Sequence, residues 1–443
     1  MVFRPFTGDS LVTEKAQYRL ESKLGTGGFG TVFRAVIETI YDQAVFNARM
    51  LSVGDAVAIK FNRDGKEGLE ELKMLRRLEC DDCCANATCL FDSAIYDENT
   101  GQPIKDVAPG QNTATILVIE LLHKSRDLKD VARTLQLLRR SPAATRIKQV
   151  YVRNMINAIR VIRRNGIFHR DIKPENFVAG EPRDSTFTYE LLEEVWFENV
   201  AQRLDPIPDN ALARPQPNGP ETNLQRLVYL QSISASIDDA QESEFVETYV
   251  LFENDPSFAI KAIDFGLAIA IERIEEREAM HKSLVLEQVG TIPFMDPWLV
   301  YSIGKGDSDI TALDIYKDTW PNGESVDSGS VFASIDNWAL GLTACQLIFG
   351  SLPYYDPERA FSSVDPVLSE KAFKRVSYPP TSWGFILGLN DIVATEPSRM
   401  GPLVITRDTA TDQDNALAET VQPLLQINPS MRMLDLSQLL IEL

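Results

Sequence analysis

The chain has 443 residues, 44% of them hydrophobic and 24% charged, and a formal net charge of −20. This is an ordinary globular composition, long enough for two or three domains. The acidity argues against nucleic acid as a primary partner, because a phosphate backbone would be repelled; basic peptides are the expected macromolecular partners. No apolar run reaches the roughly eighteen residues of a membrane-spanning helix, and the N-terminal residues lack the apolar core of a secretory signal. Of the five cysteines, four crowd into residues 80–89. An odd count without a signal predicts reduced thiols and a cytoplasmic or nuclear location.

Residues 1–17 read as a short polar leader. From Tyr18 the pattern alternates as a β-strand does and enters the turn Gly25-Thr-Gly27-Gly28-Phe29-Gly30. The chain leaves that turn as Thr31-Val32-Phe33-Arg34-Ala35-Val36, a second strand. A dinucleotide-binding fingerprint would open a helix at this point, so this turn is a glycine-rich hairpin. Read alone, it fits an ordinary tight hairpin as well as a phosphate-covering loop. A third strand, Ala56–Phe61, carries Lys60 among apolar neighbours, after a long connection over residues 37–54. A helix is predicted from Glu67 to Glu79, with Leu72, Met74, Leu75 and Leu78 facing inward and Glu71 on the same side. Two more strands, at 88–97 and 114–121, complete a predicted five-stranded sheet with one helix. The remainder is mainly helical, with helices predicted at 145–165, 336–349, 415–426 and 434–443.

Two segments interrupt this plan. Residues 180–257 hold sixteen acidic residues against four arginines and no lysine, with helix-like stretches at 189–204 and 221–233. This insertion reads either as a docking arm for a partner or as a disordered loop. A second insertion, 301–329, is rich in Asp, Gly and Ser.

The chemistry concentrates in His169-Arg-Asp171-Ile-Lys173-Pro-Glu-Asn176. A carboxylate that can accept a proton, a cation and an oxygen donor that can ligate a metal fall within six positions. Lys60 on a buried strand needs a partner, since an unpaired buried ammonium costs several kcal/mol, and Glu71 is the natural one. The bland reading is an edge-strand lysine and a solvated glutamate. Asp264-Phe265-Gly266 follows a short apolar strand and can present a carboxylate to a hard cation. Cys80-x-x-Cys83 with Cys84 and Cys89 admits either structural zinc or small buried residues; the short spacing between a helix and a strand favours the latter.

Together these motifs resemble a eukaryotic-type serine/threonine protein kinase domain over residues 18–443, insertions excepted. The resemblance is carried by Gly25–Val32, Val57–Lys60, His169–Asn176, Asp264–Gly266, Gly290–Pro297, Asp336–Gly341 and Arg432, in that order. It implies an α+β, bilobal fold, with a small lobe over 18–122, a larger helical lobe over 123–443, and ATP with Mg²⁺ in the cleft. Leu24, Gly25, Gly27, Gly28, Gly30, Val32, Ala58, Glu120 and Leu122 would then contact the nucleotide, with Ile119 as gatekeeper. Lys60, Glu71, Asp171, Lys173 and Asn176 are the implied catalytic set, and Asn176 and Asp264 the implied metal ligands. Lys173 together with Thr291 is similar to serine/threonine rather than tyrosine kinases, so protein Ser/Thr hydroxyls are the implied acceptors. Glu175 and Asp127 lean toward basic substrates, whereas Gln346 stands where a glutamate would favour them.

Three departures limit the likeness. Asp296-Pro297-Trp298 replaces the usual Ala-Pro-Glu, so the glutamate that would pair with Arg432 is missing; Asp296 is a candidate substitute, from a different position on the backbone. Glu287 stands four residues before Thr291, where a phosphothreonine is common. It reads either as a weaker stand-in for that charge or as a solvated side chain, with Ser283 as the rival phosphosite. The acidic insertion has no counterpart. A nucleotide-binding pseudokinase scaffold, or a lipid or small-molecule kinase, are the alternative functions.

Overall fold

The computed structural model describes residues 5–28, 30–105, 107–108, 111–137, 142–181, 259–272, 290–297, 299, 326–353 and 402–443. Most of both insertions, with Phe29, Ser283, Glu287 and Trp298, lies outside the described residues. Two compact units divide the chain: Met1–Leu122 with Ile263–Ala268, and His123–Ala262 with Ile269–Leu443.

The first unit is built on a seven-stranded sheet, ordered β1-β2-β3-β4-β7-β5-β6 and antiparallel throughout. Its strands are β1 (Ser10–Val12), β2 (Ala16–Thr26), β3 (Gly30–Ile40), β4 (Ala56–Asn62), β5 (Leu90–Asp97), β6 (Pro103–Ile104) and β7 (Thr113–Ile119). Three helices accompany it: α1 (Gln43–Ala48), α2 (Gly65–Arg77) and α3 (Asp81–Asn86). The expectation of five strands and one helix was therefore too small. The predicted leader supplies one added strand: Leu11 is buried and Thr13 donates a hydrogen bond to the buried Asp92 carboxylate. Tyr18 donates to the same oxygen at 2.8 Å. The long connection after β3 holds α1, anchored by the fully buried Phe46. The Asp64 side chain caps α2, accepting from the backbone N–H of Lys66 at 2.8 Å and of Glu67 at 3.3 Å. Capping satisfies donors that the first turn cannot bond internally.

The cysteine expectation also changes. Cys80 and Cys83 form a disulfide, while Cys84, Cys89 and Cys345 are buried thiols. No cluster of three potential metal-binding His, Cys, Asp or Glu side chains occurs among the described residues. The zinc alternative and the expectation that all thiols are reduced both give way here.

The second unit packs around α6 (Ser328–Phe349), most of whose side chains are buried. By length and apolarity this helix could cross a membrane, but 94% of its most apolar window is buried in the protein. It is a core helix. Around it lie α4 (Leu128–Leu137), α5 (Pro142–Arg164), α7 (Asp412–Val421) and α8 (Leu436–Glu442). Buried polar contacts fix their order. Arg163 donates to Asn337 Oδ1 at 2.6 Å and to the carbonyl of Leu434 at 3.2 Å. Lys148 pairs with Asp414 at 2.7 Å, tying α5 to α7. Short strands β8 (His123–Asp127), β10 (Phe177–Glu181) and β11 (Ala259–Ala262) form one small sheet. Strands β9 (Ile167–Phe168) and β12 (Ile269–Ala270) form another. α6 begins inside the range expected for the second insertion, because Asp327 caps it by accepting from Ser330 N–H at 2.8 Å.

Candidate active site

In the first unit the sheet register gathers the predicted nucleotide contacts. Val32 lies opposite Lys60, and Ala58 opposite Ile119, so Val32, Ala58, Lys60 and Ile119 share one face. Glu120 donates its N–H to the carbonyl of Cys89 at 3.0 Å, extending the edge of β7. The glycine turn is closed by Gly27 N–H donating to the carbonyl of Gly30 at 2.9 Å. A Cβ on Gly25, Gly27 or Gly28 would meet no protein atom within 4 Å, so packing does not require these glycines. Leu24 beside them is half exposed. A bare backbone with open space in front of it suits close approach by a ligand phosphate. Gly30 differs, since a Cβ there would lie 2.3 Å from the carbonyl oxygen of Phe61. Gly30→Ala is expected to push β3 off β4 and to cost about 1–3 kcal/mol in a urea unfolding curve, as overpacking does. Wild-type stability would contradict that close contact.

Lys60 is the electrostatic centre of this unit. Its Nζ lies 2.7 Å from Glu71 Oε1 and 2.7 Å from Asp264 Oδ1. Lys60 and Glu71 are buried, while the Asp264 side chain is 29% exposed. Burial alone would lower the Lys60 pKa, but the carboxylates of Glu71 and Asp264 outweigh it and hold the pKa above the ordinary amine value. The stabilisation from this pairing is therefore complete below the ordinary lysine pKa and fades only as pH climbs through the raised one. Lys60 therefore stays charged throughout the neutral range. Asp264 sits in the left-handed region, with φ 62°, which costs energy for a residue carrying a Cβ. Phe265, buried against α2, holds it there.

The second unit presents the other half of the chemistry. Asp336 on α6 accepts from the backbone N–H groups of His169 and Arg170, both at 2.9 Å. This fixes the loop, including Arg170 at φ 64°, before any substrate is present. Asp171 is buried. Its Oδ1 accepts from Thr291 Oγ1 at 2.8 Å, and its Oδ2 accepts from Lys173 Nζ at 2.8 Å and Asn176 Nδ2 at 2.9 Å. Lys173 also donates to Thr291 Oγ1 at 2.8 Å. The close approach of Thr291 depends on Gly290, with φ 113°, where a Cβ would lie 2.9 Å from the carbonyl of Arg170.

The missing anchor glutamate has a replacement. Asp296 and Arg432 form an ion pair with both side chains fully buried. Arg432 also donates to the carbonyl of Gln426 at 2.7 Å and lies 4.9 Å from the centre of the Trp338 ring. The expectation of basic substrates weakens, because Glu175 is paired with Lys129 at 2.7 Å and Asp127 caps α4 by accepting from Asp130 N–H at 2.8 Å. Sequence reasoning missed Asn62, a buried polar residue on the Lys60 face of β4. Its period-two spacing from Lys60 was the available signal.

Residues 18–185 match the family described as the protein kinase domain. The match takes in the glycine hairpin, Lys60, Glu71 and the His169–Asn176 loop, and it spans less than half of the chain. No curated protein matches the chain. Over residues 18–185 the chain is similar to the protein kinase domain family, whose chemistry is phosphotransfer.

Proposed function

We propose that the protein transfers the γ-phosphoryl group of ATP to serine or threonine hydroxyls of protein substrates. The observation that carries this reading is the triangle of Asp171, Lys173 and Thr291, with all three contacts at 2.8 Å. It turns donors toward both carboxylate oxygens of Asp171 and places a cation beside them. In this reading Asp171 orients the acceptor hydroxyl and takes its proton, and Lys173 neutralises charge growing on the γ-phosphoryl oxygens. Lys60, fixed by Glu71, binds the α- and β-phosphates, while amides of the Gly25–Gly30 turn approach the phosphates from the hairpin.

Each unit supplies an oxygen donor of a kind that magnesium takes. Asp264 offers a carboxylate, and Asn176, whose Nδ2 is committed to Asp171, keeps its amide oxygen as a neutral donor. When bound, the metal would supply positive charge to the phosphate oxygens.

The pseudokinase alternative drew its weight from Trp298 standing where the anchor glutamate is usual. The Asp296–Arg432 pair supports the active reading, as does the presence of Lys60, Asp171, Asn176 and Asp264. Acceptor identity is tested by incubating the protein with ATP and a mixed peptide library and hydrolysing the products. Phosphoserine and phosphothreonine are expected; phosphotyrosine as the main product, or label on added lipid alone, would overturn the acceptor assignment. The docking arm proposed for 180–257 and the charge role proposed for Glu287 lie outside the described residues. For the proposed cytoplasmic or nuclear location, the free thiols Cys84, Cys89 and Cys345 speak in favour and the Cys80–Cys83 disulfide against.

A further inference from the structure

Lys60 and Asn62 stand two residues apart on β4 and so point to the same face of the sheet. Both reach Glu71 on α2, each taking a different oxygen of its carboxylate. Lys60 Nζ donates to Oε1 at 2.7 Å and Asn62 Nδ2 donates to Oε2 at 2.9 Å. We propose that Asn62 is a positioning residue: it sets the plane of the Glu71 carboxylate so that one oxygen is always offered to Lys60, and it seats the glycine hairpin on the same strand. The catalytic consequence rests on the kinase reading above; the positioning itself does not.

The terminal torsion of a glutamate is broad, so a carboxylate held by one oxygen alone can swivel. Holding both oxygens removes that freedom. The chemistry of the second donor matters. A lysine or arginine at this position would compete with Lys60 for the same negative charge, an aspartate would repel Glu71, and a leucine would leave Oε2 buried without a donor. A neutral amide donor satisfies the oxygen and leaves the full charge of Glu71 for Lys60.

The amide orientation explains the other half of the proposal. With Nδ2 on Glu71, the buried Asn62 Oδ1 has no hydrogen-bond partner among the described residues. A buried acceptor left unsatisfied is a cost that an ordinary strand residue would not carry. That oxygen lies against Gly30, the residue paired with Asn62 across the sheet, where a Cβ would come within 2.6 Å of it. The helix approaches the same side chain closely, since a Cβ on Gly68 would be 3.0 Å from Asn62 Cβ. One side chain thus touches the end of the glycine hairpin, the helix bearing Glu71 and the strand bearing Lys60.

The test uses the full chain with Asn62→Asp and Asn62→Leu. At neutral pH both variants are expected to raise KM for ATP about tenfold, the scale of one lost hydrogen bond to a charged group, with KM for peptide unchanged. The carboxyl introduced by Asn62→Asp, buried beside Glu71, has a raised pKa. As pH falls and it takes a proton it becomes a donor, so Asn62→Asp recovers relative to wild type at the same pH and Asn62→Leu does not. Hydrogen exchange across residues 67–75 follows the same pattern without needing turnover: faster in both variants at neutral pH, restored by acid only in Asn62→Asp. Wild-type exchange in both variants, or an equal pH-independent loss in both, overturns the positioning role. A wild-type chain that transfers no phosphate would count against the kinase reading alone, and the exchange pattern would still decide the role of Asn62.

Discussion

Replacing Asp171 with asparagine is expected to lower kcat by about 10²–10⁴, the range for losing a general base, with ATP affinity little changed. The carboxylate is surrounded by donors alone: the Thr291 hydroxyl on Oδ1, and Lys173 and Asn176 on Oδ2. An asparagine must turn an NH₂ group toward one of them. It loses the proton acceptor and also disturbs the geometry that places Lys173. The loop backbone should survive, because Asp336 holds it through the N–H groups of His169 and Arg170. A steady-state assay beside an ATP titration separates the two effects. Full activity in Asp171→Asn would remove Asp171 from the mechanism, and loss of ATP binding in proportion to kcat would show that the substitution had damaged the fold.

The largest expected effect on stability lies at Arg432. Changing it to methionine removes the guanidinium that pairs with the fully buried Asp296 side chain. Removing one partner of a buried pair costs roughly 3–5 kcal/mol, whereas replacing both with apolar groups of similar volume is often close to neutral. Urea unfolding of Arg432→Met should show the larger loss, and the double variant Asp296→Leu/Arg432→Met should regain much of it. The Trp338 ring beside the guanidinium offers the methionine an apolar surface, which favours that recovery. A loss below about 0.5 kcal/mol in Arg432→Met, the scale of an ordinary surface substitution, would show that the pair does not anchor this segment.

Much of the site was legible because its chemistry is local in sequence. The loop from His169 to Asn176 carries base, cation and amide within one turn, and the structure joins them by direct hydrogen bonds. The Lys60–Glu71 pair could be inferred across ten intervening residues, since a lysine on an apolar strand requires a carboxylate and helical spacing put Glu71 on the inner face. Less could be read where the determining contact is distant or small. Strand β1 has three residues, too few for an alternating pattern, and is held by Thr13 meeting Asp92 seventy-nine positions away. Helix α1 is six residues long with one buried side chain, so it has no period to detect. The Cys80–Cys83 disulfide ran against the expectation of reduced thiols, because the three-residue spacing alone does not tell a bonded pair from two buried thiols. Asp296 could be suspected as a stand-in for the missing glutamate, but only folding shows that its carboxylate reaches Arg432, 136 positions away. Asn62 looked like the polar end of a strand, and its role depends on α2 packing closely enough for Glu71 to meet it.

The central claim is that this domain performs phosphoryl transfer and does more than hold a nucleotide. Its most direct measurement is a time course of label passing from γ-phosphate-labelled ATP to peptide hydroxyls, with magnesium, for wild type and Asp171→Asn in parallel. The account predicts continuous multiple-turnover transfer by wild type, abolished by chelating the metal and reduced to near background in the variant. A wild-type chain that binds ATP yet moves no label to any acceptor, itself included, would contradict it.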